Sequence, residues 1–251
     1  MNIFIFGNNR VCLDVIKFLN DNKKVNIVGV CLHERKRQKF AEEIKSELPT
    51  STKVIEFKSL TVQELAAIIS TLECDIAFSV YFGYILSIDL IDLFPRGIIN
   101  LHPAYLPYNR GSAPNVFSLI DDTPAGVTIH YIDEGIDTGG IIAQEMISKE
   151  SIDTGKTLYL KQERKSIDLF KKTFPSIYNN RVSVIPRSNI IGTVHKHSEL
   201  QLIDEIDLDK RYVAKDLLNI LRARTFFPYE SAYFVDDDGK KVFVRVELEY
   251  E

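Results

Sequence analysis

Apolar residues run unbroken from Ile3 to Phe6 and stop at Gly7, and from Val11 they recur at Val15, Ile16 and Leu19, the spacing of one helix face. The change of period predicts a strand, a tight turn and a helix. "VNIVGVCL" is a second β-branched run, "RKRQKFAEEIKSEL" reads as a charged amphipathic helix, and "KVIEF" as a short third strand. "TVQELAAIISTLE" reads as a helix opened by Thr61, with Glu64 at capping-box spacing. "CDIAFSVYF" and "GIINLH" follow as strands apolar on both faces. Strands of that kind alternating with helices predict an α/β fold, a mostly parallel sheet covered by helices on both sides.

Beyond Ala125 the pattern changes. "AGVTIHYIDEGIDTGGIIAQEMI" reads as an alternating strand, a Gly-rich turn and a second, antiparallel strand, and "TLYLKQERKSIDLFKKTFPSI" as a long amphipathic helix. After about Asn180 the texture becomes more broken and ends in "SAYFVDDDGKKVFVRVELEY", where Asp-Gly between alternating runs signals a hairpin. The expected division is a main domain over 1–180 and a small α+β extension over 181–251.

A formal charge of −4 argues against a protein whose main task is gripping a nucleic-acid backbone. Cys12, Cys31 and Cys74 are far apart in apolar surroundings, so no disulfide framework is expected and no metal site. The N-terminus lacks a basic stretch before its apolar run, and no segment approaches twenty apolar residues. A cytoplasmic protein that does not enter membranes is expected.

"GNNRVC" places Asn9 and Cys12 where a dinucleotide fingerprint requires glycines. The helix start can still hold one phosphate, with Asn8, Asn9 and Arg10 as added donors. Asn100 and His102 alternate with apolar neighbours at the end of a strand, so they project to one face, and Pro103 then ends the strand. An amide can stabilise a developing oxyanion and an imidazole can move a proton. "DEGIDTGG" adds Asp133, Glu134 and Asp137 in a loop where the backbone can approach a ligand. Its carboxylate spacing is incomplete for a calcium loop.

"NLHPAYLPYNRGSAPN" followed by "VTIHYIDEGIDTGG" resembles the 10-formyltetrahydrofolate-dependent formyltransferases, whose signature is Asn-x-His-Pro with a downstream Asp-x-Gly-x-Asp-x-Gly loop. The resemblance covers roughly residues 1 to 180 and implies a Rossmann-like sheet, 10-formyltetrahydrofolate as cofactor, and a catalytic triad of Asn100, His102 and Asp137. It further implies a folate-binding stretch, "SVYFGYILS", with Phe78, Phe82, Gly83, Ile85 and Leu86 as wall residues and Ile132, Asp133 and Gly135 contributing backbone contacts. His130 is read as structural.

Among these enzymes the chain is most similar to the nucleotide-linked sugar N-formyltransferases. The acidic extension departs from the basic barrel that a methionyl-tRNA formyltransferase implies. "ILRARTFFPYESAYF" resembles their C-terminal substrate segment, so Arg222 and Arg224 are expected to pair with phosphate and Phe226, Phe227 and Tyr229 to offer faces for a base. Arg10 and the loop with Tyr105, Tyr108, Asn109 and Arg110 would line the approach to the sugar. The implied partner is a nucleotide-linked amino sugar, a dTDP-linked 4-amino-4,6-dideoxyglucose first, with GDP-perosamine or a dTDP-3-amino sugar as alternatives. The implied setting is bacterial surface polysaccharide (O-antigen) synthesis by a homodimer. A non-catalytic folate or nucleotide-sugar sensor would keep the pocket without needing all three triad residues.

Overall fold

The computed structural model describes residues 1–185 and 191–251. Its first half alternates as the periods predict: β1 (Asn2–Gly7), α1 (Asn9–Asn20), β2 (Asn26–Leu32), α2 (Ala41–Glu47), β3 (Lys53–Glu56), α3 (Val62–Ser70), β4 (Ile76–Val80), α4 (Ile88–Ile91) and β5 (Ile98–His102). There follow β6 (Arg110–Gly111), α5 (Pro114–Ile120), β7 (Ala125–Tyr131), β8 (Ile141–Ile147) and α6 (Gly155–Tyr178). The remainder holds β9 (Val194–His195), α7 (Glu199–Asp204), α8 (Ala214–Ala223), β10 (Tyr233–Val235) and β11 (Lys241–Phe243).

Seven strands form one sheet in the order β3-β2-β1-β4-β5-β7-β8. β1 to β5 pair in parallel, and β7 joins β5 antiparallel. The sequence-based α/β reading therefore holds, with the switch to antiparallel pairing at the "AGVTIHY" strand. Alternation along β1 sends Phe4 and Phe6 into the cluster with Leu65 and Ile69 of α3 and Leu90 and Ile91 of α4. On β4, Phe78 meets Phe170 and Phe174 of α6, with ring centroids 5.2 and 6.3 Å away. Aromatic pairs at such separations add about 1 kcal/mol each to the burial of their area.

Two local expectations meet different outcomes. The capping box at α3 forms in both directions: Thr61 N donates to Glu64 Oε2 at 2.8 Å and Glu64 N to Thr61 Oγ1 at 3.2 Å. The single helix expected over "RKRQKFAEEIKSEL" is replaced by a 3-10 turn at Arg35–Arg37 and the short α2. Long-range bonds take the intervening backbone: Lys39 N donates to Asn8 Oδ1 at 2.8 Å, Asn9 N donates to Lys39 O at 3.2 Å, and Phe40 sits at φ 57. These contacts offset the local helical preference.

By compactness the chain divides into two units. The first comprises residues 1–102, 128–144 and 163–188, and the second 103–127, 145–162 and 189–251. In the second, β10 and β11 pair antiparallel around a turn in which Asp236 Oδ1 accepts from Asp238 N and Lys240 N, with Gly239 at φ 77. That is the hairpin expected from Asp-Gly. Among the described residues no helix is long and apolar enough to cross a membrane.

Candidate active site

Parallel strands carry their carboxyl ends to one edge of the sheet, and in the first unit five chain segments leave from that edge: Asn8 after β1, His33 after β2, Phe57 after β3, Tyr81 after β4 and the end of β5 itself. Asn100 and His102 occupy one face of β5. The antiparallel register of β7 sets His130 opposite Asn100.

The loop after β7 returns Asp137 to this point. Tyr131 N donates to Gly140 O at 3.0 Å, closing the loop at its base. A Cβ on Gly139 would stand 1.8 Å from Tyr131 O, so only glycine permits that closure. Asp133 Oδ1 accepts from Gly135 N at 3.1 Å, tightening the turn from within. Asp137 adopts φ 49, the left-handed region, at a cost of roughly 1 kcal/mol that the loop contacts must offset.

The result is a cluster of two buried imidazoles with one half-buried amide and one half-buried carboxylate. His102 Nε2 lies 3.5 Å from Asp137 Oδ2, and His130 Nε2 lies 3.5 Å from Asp137 Oδ1. Asn100 Nδ2 is 3.2 Å from His130 Nε2 and 3.4 Å from Asp137 Oδ1. His130 Nδ1 is 2.8 Å from the carbonyl oxygen of Tyr131, which can only accept, so Nδ1 carries the proton and Nε2 of the neutral ring accepts. The amide of Asn100 thus places one N–H against each of two acceptors and keeps their lone pairs apart. His130, read from sequence as structural, stands within this cluster; the signal for its place, a polar residue opposite Asn100, exists only in the strand register.

The stretch after β4 divides by exposure. Phe78 is corrected by the structure: β4 is buried on both faces, and its ring is enclosed by α6 rather than offered to a ligand. Phe82 and Leu86 are likewise core residues, Phe82 packing on Phe6, His33, Phe57 and Tyr84. Gly83 and Ile85 are exposed, Ile85 at 78%, and Ile136 near Asp137 is 43% exposed. The N–H of Ile132 is committed to Ile98 O at 2.8 Å.

His33 was not singled out by sequence. Its Nδ1 is 3.0 Å from Asn8 Nδ2, and its Nε2 is 3.3 Å from Gly83 N. Lys39 N and Arg37 O fix the Asn8 amide so that it presents N–H to the ring. A neutral imidazole accepts at one nitrogen only, so Asn8 and Gly83 compete, and the longer Gly83 contact is the one more readily given to a ligand. Burial and the nearby Arg37 charge push the His33 pKa down to about 4, keeping the ring neutral.

Several residues expected at the substrate have partners within the fold. Asn9 Oδ1 accepts from Val11 N and its Nδ2 donates to Glu163 Oε1, so it serves the start of α1 instead of presenting donors outward. Arg10 is 60% exposed and pairs with Asp14 one turn on. In the second unit, Arg222 donates to the carbonyls of Glu150 and Ser151 and to Asn219 Oδ1. Arg224 forms a two-pronged ion pair with Asp204. Both arginines are corrected from phosphate ligands to internal ties, because the guanidinium fork is satisfied by carbonyl or carboxylate oxygens already in place. Asn109 is buried, with its N–H on Thr193 Oγ1 and its amide on Thr123 Oγ1. Phe226 packs on Tyr159 and Tyr229, whereas Phe227 is 68% exposed and Tyr229 is exposed at its edge. Tyr105 and Tyr108 belong to one turn, and Arg110 has a buried Nε with no hydrogen-bond partner among the described residues.

Residues 1–172 match the family described as formyl transferase, and residues 199–250 match the N-formyltransferase dimerization C-terminal domain. The chain belongs to the formyltransferase family and is an enzyme; the formyl donors used in that family are tetrahydrofolate derivatives. It is 35% identical over 189 residues to a dTDP-4-amino-4,6-dideoxyglucose formyltransferase of Mycobacterium tuberculosis, covering 71% of this chain and 80% of that one. A 4-N formyltransferase from Francisella tularensis superposes with a TM-score of 0.85 at 32% identity, over 100% of this chain and 98% of the other. A sugar N-formyltransferase from a Shewanella species gives 0.86 at 25% identity, over 100% and 99%. Within the family the chain is of the sugar N-formyltransferase type.

Proposed function

We propose that the protein transfers the formyl group of 10-formyltetrahydrofolate to the 4-amino group of a dTDP-linked 4-amino-4,6-dideoxyglucose, in the synthesis of a bacterial surface polysaccharide. The observation that carries the reading is the convergence of Asn100, His102 and Asp137 at the carboxyl edge of the sheet. The 4-amino position and the base are favoured by likeness to the Mycobacterium tuberculosis and Francisella tularensis proteins. Exposed Ile85 and Ile136, with the shared N–H of Gly83, fit a flat heteroaromatic ring that has apolar faces and polar edges. In the second unit, Phe227 and Tyr229 suit a stacked base and Arg110 a phosphate. Residues 181–251 would complete the nucleotide-sugar site or form the interface of a homodimer.

When bound, the folate supplies the formyl carbon. Attack by the sugar amine forms a carbon–nitrogen bond and moves charge onto the formyl oxygen, where Asn100 Nδ2 donates. Doing so costs Asn100 one of its two present bonds, and the longer one to Asp137 is the cheaper to release. His102 takes the proton from the attacking amine and returns it to the folate nitrogen as the old bond breaks. Asp137, facing His102 Nε2, stabilises the imidazolium between those two events.

The test is a mass-spectrometric assay with 10-formyltetrahydrofolate and dTDP-, GDP- and UDP-linked 3-amino and 4-amino sugars. A gain of one carbonyl on the dTDP-4-amino sugar supports the reading. A gain only on GDP-perosamine or a 3-amino sugar would move the acceptor, and no gain on any member, with folate still bound, would favour a sensor.

A further inference from the structure

Residues 192–195 press on the loop that runs from Tyr105 to Ser112, and both segments belong to the second unit. A Cβ on Gly192 would stand 2.0 Å from Pro107 O, so the chain passes that turn with room only for glycine. Thr193 takes two backbone N–H groups of the loop: its Oγ1 accepts from Asn109 N at 2.8 Å and its carbonyl from Arg110 N at 3.0 Å. β9 then runs parallel to β6, with Val194 opposite Arg110 and His195 opposite Gly111, and His195 O accepts from Ser112 N at 2.9 Å. A ladder of two residues per strand is too short to hold itself. Where β6 lies is therefore set by whatever fixes β9.

One side chain does so. The His195 ring is 12% exposed and lies flat on Phe117 of α5, with centroids 3.9 Å apart and planes 3° from parallel. Its Nδ1 is hydrogen-bonded to Glu199 Oε2 of α7 at 3.0 Å, and its Nε2 is 3.0 Å from Asp121 Oδ2 at the end of α5, an ion-pair approach without hydrogen-bond alignment. Lys196 N donates to the other Glu199 oxygen at 2.7 Å, and that N–H together with the His195 ring holds the Glu199 carboxyl below the usual carboxylate range. Only a ring protonated on both nitrogens attracts both carboxylates. The imidazolium thus ties β9 to two helices at once, and the face of Phe117 adds to the attraction.

What β6 carries is Arg110. Its Nε is buried and has no hydrogen-bond partner among the described residues, an arrangement that costs free energy until an anion is supplied. The acceptor proposed above brings a diphosphate. We propose that His195 is a positioning residue for acceptor binding: it clamps β9 between α5 and α7, and β9 holds the Arg110 guanidinium where it meets a phosphate oxygen of the nucleotide sugar. The ring, with a carboxylate at each nitrogen, has no polar atom left for a substrate and acts through Arg110. This rests on the nucleotide-sugar reading above.

The experiment takes the amino sugar that the natural protein formylates fastest in the panel above and measures kcat and both KM values for the natural chain, H195F, E199Q, R110M and H195F/R110M. H195F keeps the stack on Phe117 and removes both ion pairs; E199Q keeps an acceptor for Lys196 N and removes the charge facing Nδ1. H195F and R110M should each raise the acceptor KM by about tenfold, the loss of one charge-assisted hydrogen bond, with the donor KM changed by less than about twofold. The double variant should stay within about twofold of R110M alone, because His195 acts through Arg110. E199Q, the milder change, should raise the acceptor KM by about threefold. A fall in kcat with both KM values unchanged would assign His195 to support of the fold alone and overturn the proposal. So would an equal rise in both KM values, or effects of H195F and R110M that multiply to about a hundredfold in the double variant. Should H195F fail to fold, E199Q decides, and a natural acceptor KM in that variant overturns the proposal. A natural protein that formylates no member of the panel overturns the nucleotide-sugar reading and this inference with it, whereas natural turnover with an unmoved acceptor KM in the variants overturns this inference alone.

Discussion

Replacing His130 by Phe removes two contacts at once, the Nδ1 proton on Tyr131 O at 2.8 Å and the Nε2 acceptor for Asn100 at 3.2 Å, while keeping a ring of similar size. His130 is 1% exposed, so water does not readily replace either bond. Two buried hydrogen bonds at about 1 kcal/mol each, with part of the penalty for leaving their partners unsatisfied, give a stability loss of about 2–3 kcal/mol. The catalytic cost is separate. Without the Nε2 acceptor the Asn100 amide is held by Asp137 alone and can present oxygen where nitrogen is required. Misdirecting an oxyanion donor costs about 100-fold in kcat. His130 is thus a positioning residue, and KM for either substrate should move less than about threefold, because it touches neither. His130→Gln, which can restore an acceptor near the Nε2 position, should recover to within about tenfold of the natural kcat. Steady-state formylation with chemical denaturation of each variant checks both parts. A His130→Phe protein with nearly natural kcat would refute the reasoning, whatever its stability.

Protonation of His33, whose pKa is lowered from 6.5 to about 4, favours the unfolded chain. Stability should therefore be full above about pH 6.5 and be lost as pH falls from there to about 4. The part due to His33 is about 2 kcal/mol, below the full shift because Arg37 and Lys39 act across screened surface; denaturation midpoints against pH should flatten in His33→Gln, and an unchanged slope would refute the assignment. Gly139→Ala must push the Asp137 loop off Tyr131 O, so formyl transfer should fall by at least tenfold with an otherwise folded protein; natural activity would show that the loop has another way to close. Arg224→Met strands the buried carboxylate of Asp204 and should cost about 3 kcal/mol, largely restored by the double change with Asp204→Leu, as read by thermal unfolding.

The element pattern was legible where the information is local. A short apolar run ended by glycine, a 3.6-residue period and a capping box all act within a few positions, and they yield the strands and helices of the first unit with little adjustment. The exception, the broken helix around Phe40, is decided at long range. Asn8, thirty-one residues before Lys39, takes that backbone N–H, and no window along the segment contains the cause.

The same distinction separates the parts of the site. Asn100 and His102 were readable because a two-residue phase and a terminating proline fix both direction and exposure within four positions. His130 and His33 were not, since each acquires its role from a partner across the sheet: Asn100 through the β5–β7 register, and Gly83 fifty residues away. Arg222 and Arg224 show why side-chain chemistry alone is insufficient. A guanidinium at a helix end is equally suited to a phosphate and to carbonyls, and the choice here rests with Glu150 and Ser151, more than seventy residues back, and with Asp204. Charge-bearing residues therefore become evidence of ligand binding only after their internal partners are known.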